Sequence, residues 1–529
     1  MVLPEDRAIP SPRAAEAGGP PRRLLVNVAA GAGQALISGI VLFVLYRVLL
    51  ERLGAEQIGA WSLMMAWFAL PRLADLGLPG GMVRFGAVAM AAGDRARVIA
   101  VIGWGVLAVC LLTAIGALAT ALALGAYAPA FLMHQPGSGR LLVWGSLIAW
   151  LACITVVIRS GLDALQRVDL RHGTLVLQNV LLLACSCALV RDGNLEGLLL
   201  AQLISSGAAV AVTAWALLRE LRRNREEGPV RADVIASGGV MRSLLSYGLP
   251  FQVTTITGFL IEPLVKLLLS PIGGLAAVAW YEMASRLIGQ ARSLAVNALE
   301  ALVPHIASFT AAERQSQIAD EYRRSFAFNL AFATLGVALF LASLPFIAWL
   351  WIGRDEPLFL GFAALLALAW WVSALAVPAY FIAQGIGVQR WNVWAHTGIA
   401  VTNGVFGVLL GAWYGSIGVV SGVVLATVVG NAVLIVGFHR ELRKVTGQVV
   451  SGAIPWGYVL AVAVAMLPLI HAWHWTPAPV WLLIASLATC VVVGLVVASV
   501  DGNFGRFKGV VGRLWRMSTG RQIVGGSQA

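Results

Sequence analysis

Charge is scarce in this sequence. Asp, Glu, Lys and Arg together make up 12% of the 529 residues, while 59% are hydrophobic. A soluble domain carries about 25% charged residues, so this chain has too few to cover a water-facing surface of its size. The net charge of +12 would suit a nucleic-acid binder. However, the arginines lie mostly in short loops between apolar runs, which is typical of membrane topology, and nucleic-acid binding is not expected.

Motifs of enzymes and of metal sites are also missing. The sequence contains neither the GxxxxGKS/T loop of an ATPase nor the HExxH pattern of a zinc enzyme. Its cysteines lie inside apolar runs without a CxxC pair, which argues against a zinc site and a disulfide framework. They are Cys110, Cys153, Cys185, Cys187 and Cys490. We therefore predict a transporter rather than an enzyme, with neither a cofactor nor a metal.

Apolar runs that can cross a bilayer recur along the whole chain. Each crossing needs about 20 apolar residues, and we count about 14 such runs, which predicts an all-α membrane protein. The predicted regions are a disordered cytoplasmic N-terminus (1–22), a first six-helix bundle (23–219), a cytoplasmic linker (220–243), a second six-helix bundle (244–440), a linker with two extra transmembrane helices (441–499) and a basic cytoplasmic tail (500–529).

The positions of Lys and Arg predict the orientation. With the N-terminus placed inside, the inside segments carry 28 of these residues and the outside loops carry four. The four outside are Arg52, Arg140, Arg191 and Arg354. One missed span would invert every later loop and mix the two sets. We therefore predict a bacterial inner-membrane protein with both termini in the cytoplasm.

The sequence contains an internal repeat. Residues 219–223 read RELRR and residues 440–444 read RELRK, an offset of 221. A glycine also lies seven residues before a tryptophan at Gly54–Trp61 and again at Gly273–Trp280, an offset of 219. Because each unit has six spans, both units start from the same side of the membrane. This predicts two bundles related by a pseudo-two-fold axis along the membrane normal.

Polar side chains form a stripe on one face of the predicted seventh span and another on the eighth, at helical spacing. A charge at the bilayer centre costs about 3 kcal/mol, so these residues need a partner or water. They are Gln252, Thr255, Glu262 and Lys266 on the seventh span, and Glu282, Arg286, Ser293, Asn297 and Glu300 on the eighth. Two interpretations stay open. The i,i+4 pairs Glu262–Lys266 and Glu282–Arg286 hold helices together, or the stripes line a water-filled, ligand-facing cavity.

Several short segments resemble one family. Gly59–Leu63 (GAWSL), Ala74–Leu78 (ADLGL) and Met82–Phe85 (MVRF) in the first half, and Ala279–Leu287 (AWYEMASRL) in the second, are similar to the polysaccharide (O-antigen-type) flippases of the multidrug/oligosaccharidyl-lipid/polysaccharide (MOP) exporter superfamily. The resemblance covers roughly residues 22–445. It implies a MATE-like fold of two six-helix bundles around a V-shaped cavity. It also implies export of undecaprenyl-diphosphate-linked oligosaccharide, by alternating access, for O-antigen, lipopolysaccharide or exopolysaccharide.

The resemblance also implies roles for individual residues. Cavity cations would bind the diphosphate, acids would bind a coupling Na⁺ or H⁺ or hold the cations, and other polar groups would line the cavity. The cations are Lys266, Arg286, Arg292 and Arg72; the acids are Glu262, Glu282, Glu300 and Asp75; the cavity polar residues are Gln252, Thr255, Ser293, Asn297, Asn27 and Gln34. Polysaccharide polymerase and chain-length proteins are the candidate protein partners. The alternatives are a MATE-type drug/cation antiporter and a lipid II flippase.

Overall fold

Almost all of the described chain is α-helix in the computed structural model. The described residues are 21–126, 138–191, 193–223, 239–300, 316–354, 356–386, 388–447 and 456–467, with 484, 487–489 and 491. The helices are α1 (Pro21–Phe68), α2 (Leu78–Ala91), α3 (Arg95–Ala126), α4 (Ser138–Ala164), α5 (Val168–Leu189), α6 (Leu195–Arg223), α7 (Gly239–Glu300), α8 (Ser316–Ile352), α9 (Pro357–Gly385), α10 (Arg390–Thr446) and α11 (Trp456–Ala465). A short 3-10 helix, Leu70–Asp75, lies between α1 and α2. These ranges contain no strand, and the all-α fold class is confirmed.

Three helices fold back on themselves at a glycine. The positive φ angles are 77° at Gly54 in α1, 77° at Gly274 in α7 and 61° at Gly415 in α10. Glycine adopts such angles readily because it has no Cβ. The reversal brings distant residues together: the ring centroids of Tyr46 and Trp61 in α1 are 6.1 Å apart. Fifteen residues of straight helix would span about 22 Å at 1.5 Å per residue.

The described residues form two sets of six crossings. Nine of their helices are long and apolar enough to cross a membrane. Three of the nine are the hairpins α1, α7 and α10, so the nine helices provide twelve crossings. Six crossings fall in 21–223, the first bundle, and six in 239–446, the second. The total of about 14 stays a prediction, because most of the two extra C-terminal helices, like residues 1–20 and the basic tail, lies outside the described residues.

The kinks preserve the repeat. Gly54 and Gly274 are 220 residues apart, between the offsets of 219 and 221 found in the sequence. Gly273, the sequence-based partner of Gly54, precedes the second kink by one residue. It packs instead against the side chain of Ser416, just after the kink of α10. The hairpins α1 and α7 are therefore the matching first elements of the two bundles.

The two bundles share one apolar core around α1 and α7. It includes the buried side chains of Leu49 in α1 and of Val265 and Trp280 in α7. Trp351 of α8 extends the core: its ring stacks on Phe43 at 4.9 Å, and its N–H donates to the Phe43 carbonyl at 2.7 Å. Lipid tails are as apolar as leucine, so close packing and hydrogen bonds, rather than burial from water, hold such helices together.

A continuous apolar face remains uncovered on α3. Its side chains follow steps of four, three and four residues, so they share one helix face. They are Leu111, Ile115, Leu118 and Leu122, with 58, 67, 61 and 66% of their surface exposed. An apolar face of this size is stable in lipid and not in water. With the twelve crossings, it shows a multi-pass membrane protein.

Candidate functional site

Four buried polar side chains meet where the two bundles touch. They are Tyr46 and Ser62 in α1, and Lys266 and Glu282 in α7. Each lies eight residues before or after the kink glycine of its own helix, Gly54 or Gly274. Eight residues of helix span about 12 Å, so the four lie at one depth. We call them the central quartet.

Glu282 is the centre of the quartet. Its Oε1 accepts hydrogen bonds from the Tyr46 hydroxyl at 2.8 Å and from Nε of Arg286 at 2.7 Å. Its Oε2 accepts from the Ser62 hydroxyl at 2.9 Å and lies 2.5 Å from Nζ of Lys266. The Glu282 side chain is 2% exposed. A carboxylate offers about four acceptor positions, so two donors from each bundle satisfy this one fully.

The charges around the quartet balance. Nζ of Lys266 also lies 2.7 Å from Oε1 of Glu262, so two acids face two cations. Both predicted i,i+4 pairs are present, and the Lys266–Glu282 pair joins the two arms of α7. Nevertheless, the side chains of Glu262 and Arg286 are 48% and 50% exposed, so these ion pairs are not sealed inside the protein. In the described ranges, no group of three or more His, Cys, Asp or Glu side chains could hold a metal ion.

A second contact between the bundles lies at the opposite end of the helices, about 30 Å of helix from the kinks. Nε2 of Gln252 in α7 donates to the Leu73 carbonyl at 2.9 Å. The backbones of Gly77 and Gly248 approach so closely that a Cβ on either would collide with the other backbone. Oδ1 of Asp75 accepts from the Gly77 N–H at 2.9 Å and supports this turn. We call this region the far contact.

Aromatic and cationic side chains extend the far contact. The guanidinium of Arg84 in α2 lies 4.6 Å from the ring centroid of Tyr247 in α7. The ring of Phe85 meets the same tyrosine edge-on at 5.9 Å. A cation over an aromatic face contributes about 0.5–1 kcal/mol at exposed sites. The two bundles are therefore joined at both depths by polar groups beside buried apolar side chains.

Other predicted site residues lie away from the quartet. Arg292 follows Glu282 by ten residues on α7, about 15 Å along the helix, and interacts electrostatically with Tyr380 and His396. Arg72 is exposed on the short 3-10 helix. Nε2 of Gln34 donates to Ser38 at 3.2 Å within α1. The side chains of Asn27, Thr255, Ser293, Asn297 and Glu300 lie outside the described residues.

A polar crossing inside the first bundle does not use the ion pair that helical spacing alone would suggest. Arg159 and Asp163 are four residues apart in α4 and could form an ion pair. In the structure Oδ1 of Asp163 lies 3.2 Å from Nε of Arg171 in α5. Arg159 instead donates to α5, from Nε to the Thr174 hydroxyl at 3.2 Å and from Nη2 to Oε1 of Gln178 at 2.9 Å.

Tyr46 and Ser62 were not among the predicted site residues. Each lies in an apolar run, where a single hydroxyl forms no periodic polar pattern. The internal repeat does indicate both residues: an offset of 220 places Tyr46 at the position of Lys266 and Ser62 at that of Glu282. Reading the charged positions of the second bundle back onto the first would have identified both.

The chain is similar to known proteins in sequence profile and in fold. The profile of the family described as "Polysaccharide biosynthesis protein" matches residues 24–310. An inward-facing multidrug resistance MATE family transporter of the MOP superfamily superposes with a TM-score of 0.65 at 14% identity, covering 80% of this chain and 99% of its own. The lipid II flippase MurJ, in an inward closed conformation, gives 0.63 at 14% identity, covering 89% and 98%. A Vibrio cholerae MATE transporter gives 0.57 at 17% identity, covering 81% and 98%. No curated protein sequence matches the chain.

Proposed function

The chain belongs to the polysaccharide biosynthesis protein family, and from this premise we propose that it is a flippase for undecaprenyl-diphosphate-linked oligosaccharides. It would move complete repeat units across the bacterial inner membrane for surface polysaccharide synthesis. Both termini would lie in the cytoplasm, as the Lys and Arg distribution predicts. The kink end of the helices would then face the periplasm and the far contact the cytoplasm.

The observation that carries this proposal is the pair of contacts between the bundles. Alternating access requires two bundles that separate at one end while they stay together at the other. The quartet and the far contact lie at different depths, and each combines a few polar groups with closely packed backbone and buried apolar side chains. Opening toward the cytoplasm would break the Gln252–Leu73 hydrogen bond. Opening toward the periplasm would break the bonds from Tyr46 and Ser62 to Glu282.

The chemistry of Glu282 supports a reversible contact. If the bundles separate at the kink end, the carboxylate loses the hydroxyls of Tyr46 and Ser62 but keeps Lys266 and Arg286, which belong to its own bundle. Leaving a buried charge without a partner costs several kcal/mol. Because two cations remain, and water enters as the hydroxyls leave, that cost does not arise. The half-exposed guanidinium of Arg286 is proposed to face the passing head group.

Coupling to an ion is proposed for the acids beside these cations. Glu262 is half-exposed and bound to Lys266 at 2.7 Å, so a proton or Na⁺ can reach it without the bundles first opening. Protonation would release Lys266 from one of its two carboxylates. The freed ammonium would then be available to an anionic head group, which links ion binding to substrate binding.

A mass-spectrometric inventory of polyprenyl-linked glycans in cells lacking the protein tests the function. Accumulation of one complete repeat unit, with loss of the surface polymer, is expected, and the full-length chain should reverse both. Accumulation of lipid II would favour the cell-wall flippase instead. Unchanged glycans together with new sensitivity to cationic drugs would favour the antiporter and refute the proposal.

A further inference from the structure

The two cations at Glu282, Lys266 and Arg286, are already neutralised within the chain. Lys266 contacts two carboxylates, those of Glu262 and Glu282, and Arg286 contacts Glu282. The formal charge of these four residues is zero. An anionic head group would have to compete with carboxylates held at 2.5–2.7 Å. A cation without a carboxylate partner is the better anion-binding group.

Arg159 is such a cation. It lies inside the span formed by α4 and is partly buried. Among the described residues, no carboxylate oxygen comes within ion-pair distance of it, because Asp163 pairs with Arg171. Its hydrogen bonds to Thr174 and Gln178 are to neutral oxygens. A charge inside a membrane span is costly and is by default a candidate functional site. Arg159, Arg171 and Asp163 together give this crossing a net charge of +1.

The guanidinium of Arg159 is held in place and still has N–H donors available for a ligand. A guanidinium has five N–H donors in a rigid fork that matches phosphate oxygens in two-point binding. Within the described part of the chain, two of the five are used, by Thr174 and Gln178, which both lie on α5. These two bonds fix the plane of the fork. Three donors remain for a ligand.

The same crossing in the second bundle is also polar. Arg159 lies five residues before the end of α4, and Thr174 six residues after the start of α5. In the second bundle, Tyr380 lies five residues before the end of α9 and His396 six after the start of α10. Their rings meet edge-on at 5.8 Å, and both are within electrostatic range of Arg292. Each bundle thus has an arginine at or near its crossing between the fourth and fifth spans: Arg159 on the fourth span of the first, and Arg292 from the second arm of α7 in the second.

We propose that Arg159, fixed by Thr174 and Gln178, is a phosphate-binding site in the first bundle. It takes a phosphoryl group of the substrate through charge-assisted hydrogen bonds. This inference rests on the proposed function for its ligand, a lipid diphosphate. It assigns the anion contact in the first bundle to a residue outside the central quartet, in addition to the contact proposed above for Lys266 in the second bundle once Glu262 is protonated.

Ligand binding to the full-length protein in nanodiscs tests the site. The probes are geranyl diphosphate, inorganic pyrophosphate and geraniol. The wild type should bind geranyl diphosphate, and R159Q should bind it at least tenfold more weakly while its geraniol binding is unchanged. The salt dependence of the Kd should also be smaller in R159Q, because one cation is lost. Competition by pyrophosphate would show a site for any diphosphate; its failure would show a requirement for the prenyl chain.

R97Q is the matched control, since Arg97 is an exposed cation at the start of α3. It should bind like the wild type. R159K should recover part of the affinity, because the ammonium keeps the charge without the fork; if R159Q does not insert, R159K against the wild type carries the test. Unchanged binding by R159Q, or no saturable binding by the wild type, overturns the site. Glycan accumulation in cells decides the transport function separately, so binding at Arg159 without accumulation would refute that function alone.

Discussion

The hydroxyl of Tyr46 donates a 2.8 Å hydrogen bond to Oε1 of Glu282, and each residue lies eight residues from the kink glycine of its helix. The bond joins the two bundles at a depth that the repeat defines in both. Tyr46 takes the place that Lys266 has in the second bundle. An aromatic hydroxyl and an ammonium are thus the two matching donors to one carboxylate.

Removal of the charge at Glu282 should destabilise the protein strongly. E282Q leaves Lys266 and Arg286 with a single carboxylate, Glu262, and breaking a buried ion pair costs about 3–5 kcal/mol. The thermal unfolding midpoint in detergent measures the loss. E51Q is the control: the Arg47–Glu51 pair is 3.1 Å long but 47% and 63% exposed, and such pairs contribute at most about 1 kcal/mol. Equal midpoints for the two variants would contradict the central role of Glu282.

The Tyr46–Glu282 bond should be measurable as a coupling. A double-mutant cycle of Y46F and E282Q should give an interaction energy of about 1–3 kcal/mol, since the hydroxyl is buried and its acceptor is charged. Y46F alone should insert normally and keep the ion pairs within α7. Additive effects of the two changes would mean that the hydroxyl and the carboxylate do not interact in the membrane.

A methyl group at Gly59 should push the bundles apart. A Cβ there would collide with the backbone carbonyl of Leu275 in the other bundle, and overpacking costs about 1–3 kcal/mol. G59A should therefore lower both the unfolding midpoint and export. G103A is matched to it, because Gly103 is also helical but, among the described residues, no atom beyond its own helix backbone lies within 4 Å of its Cβ position. Alanine there should be neutral or slightly stabilising. Wild-type behaviour of G59A would show that this close approach is not required.

The orientation should be visible by cysteine labelling in a variant without native cysteines. Asn194, between α5 and α6, lies at the kink end, and Ala92, between α2 and α3, at the opposite end; both are exposed. A membrane-impermeant maleimide should label N194C in intact cells, and A92C should react after the cells are opened. The reverse pattern would invert the predicted topology and move the far contact to the outside.

The crossings and the repeat were predictable because each membrane span requires about 20 apolar residues, which is a long and easily recognised sequence pattern. Uninterrupted apolar runs and the internal repeat predicted the six-plus-six arrangement, which the structure has; the orientation predicted from loop charge stays a prediction. The ion pairs Glu262–Lys266 and Glu282–Arg286 were also legible, since four residues on a helix are neighbours. Local periodicity was sufficient for all of these.

Contacts between distant residues were not predictable in this way. Nothing local links Ser62 to Glu282, 220 residues away, and the tight turn at Gly274 decides that Lys266 meets Glu282 across a hairpin. For Arg159 the local pattern was misleading: Asp163 lies at the right spacing, but Arg171 from the next helix takes it. When two cations could pair with the same carboxylate, the packing of the helices decides which of them does so.

The quartet residues lie at equal distances from two kinks, and this symmetry limits which residues a duplicated chain can place there. Two identical six-helix chains, related by a true two-fold axis, would need the same residue at Tyr46 and Lys266 and the same at Ser62 and Glu282. Two glutamates would then face each other across the axis. Joining both halves in one polypeptide removes that constraint. One half can keep the acid while the other supplies hydroxyls, so the two halves share a geometry but only one of them carries the charged residues.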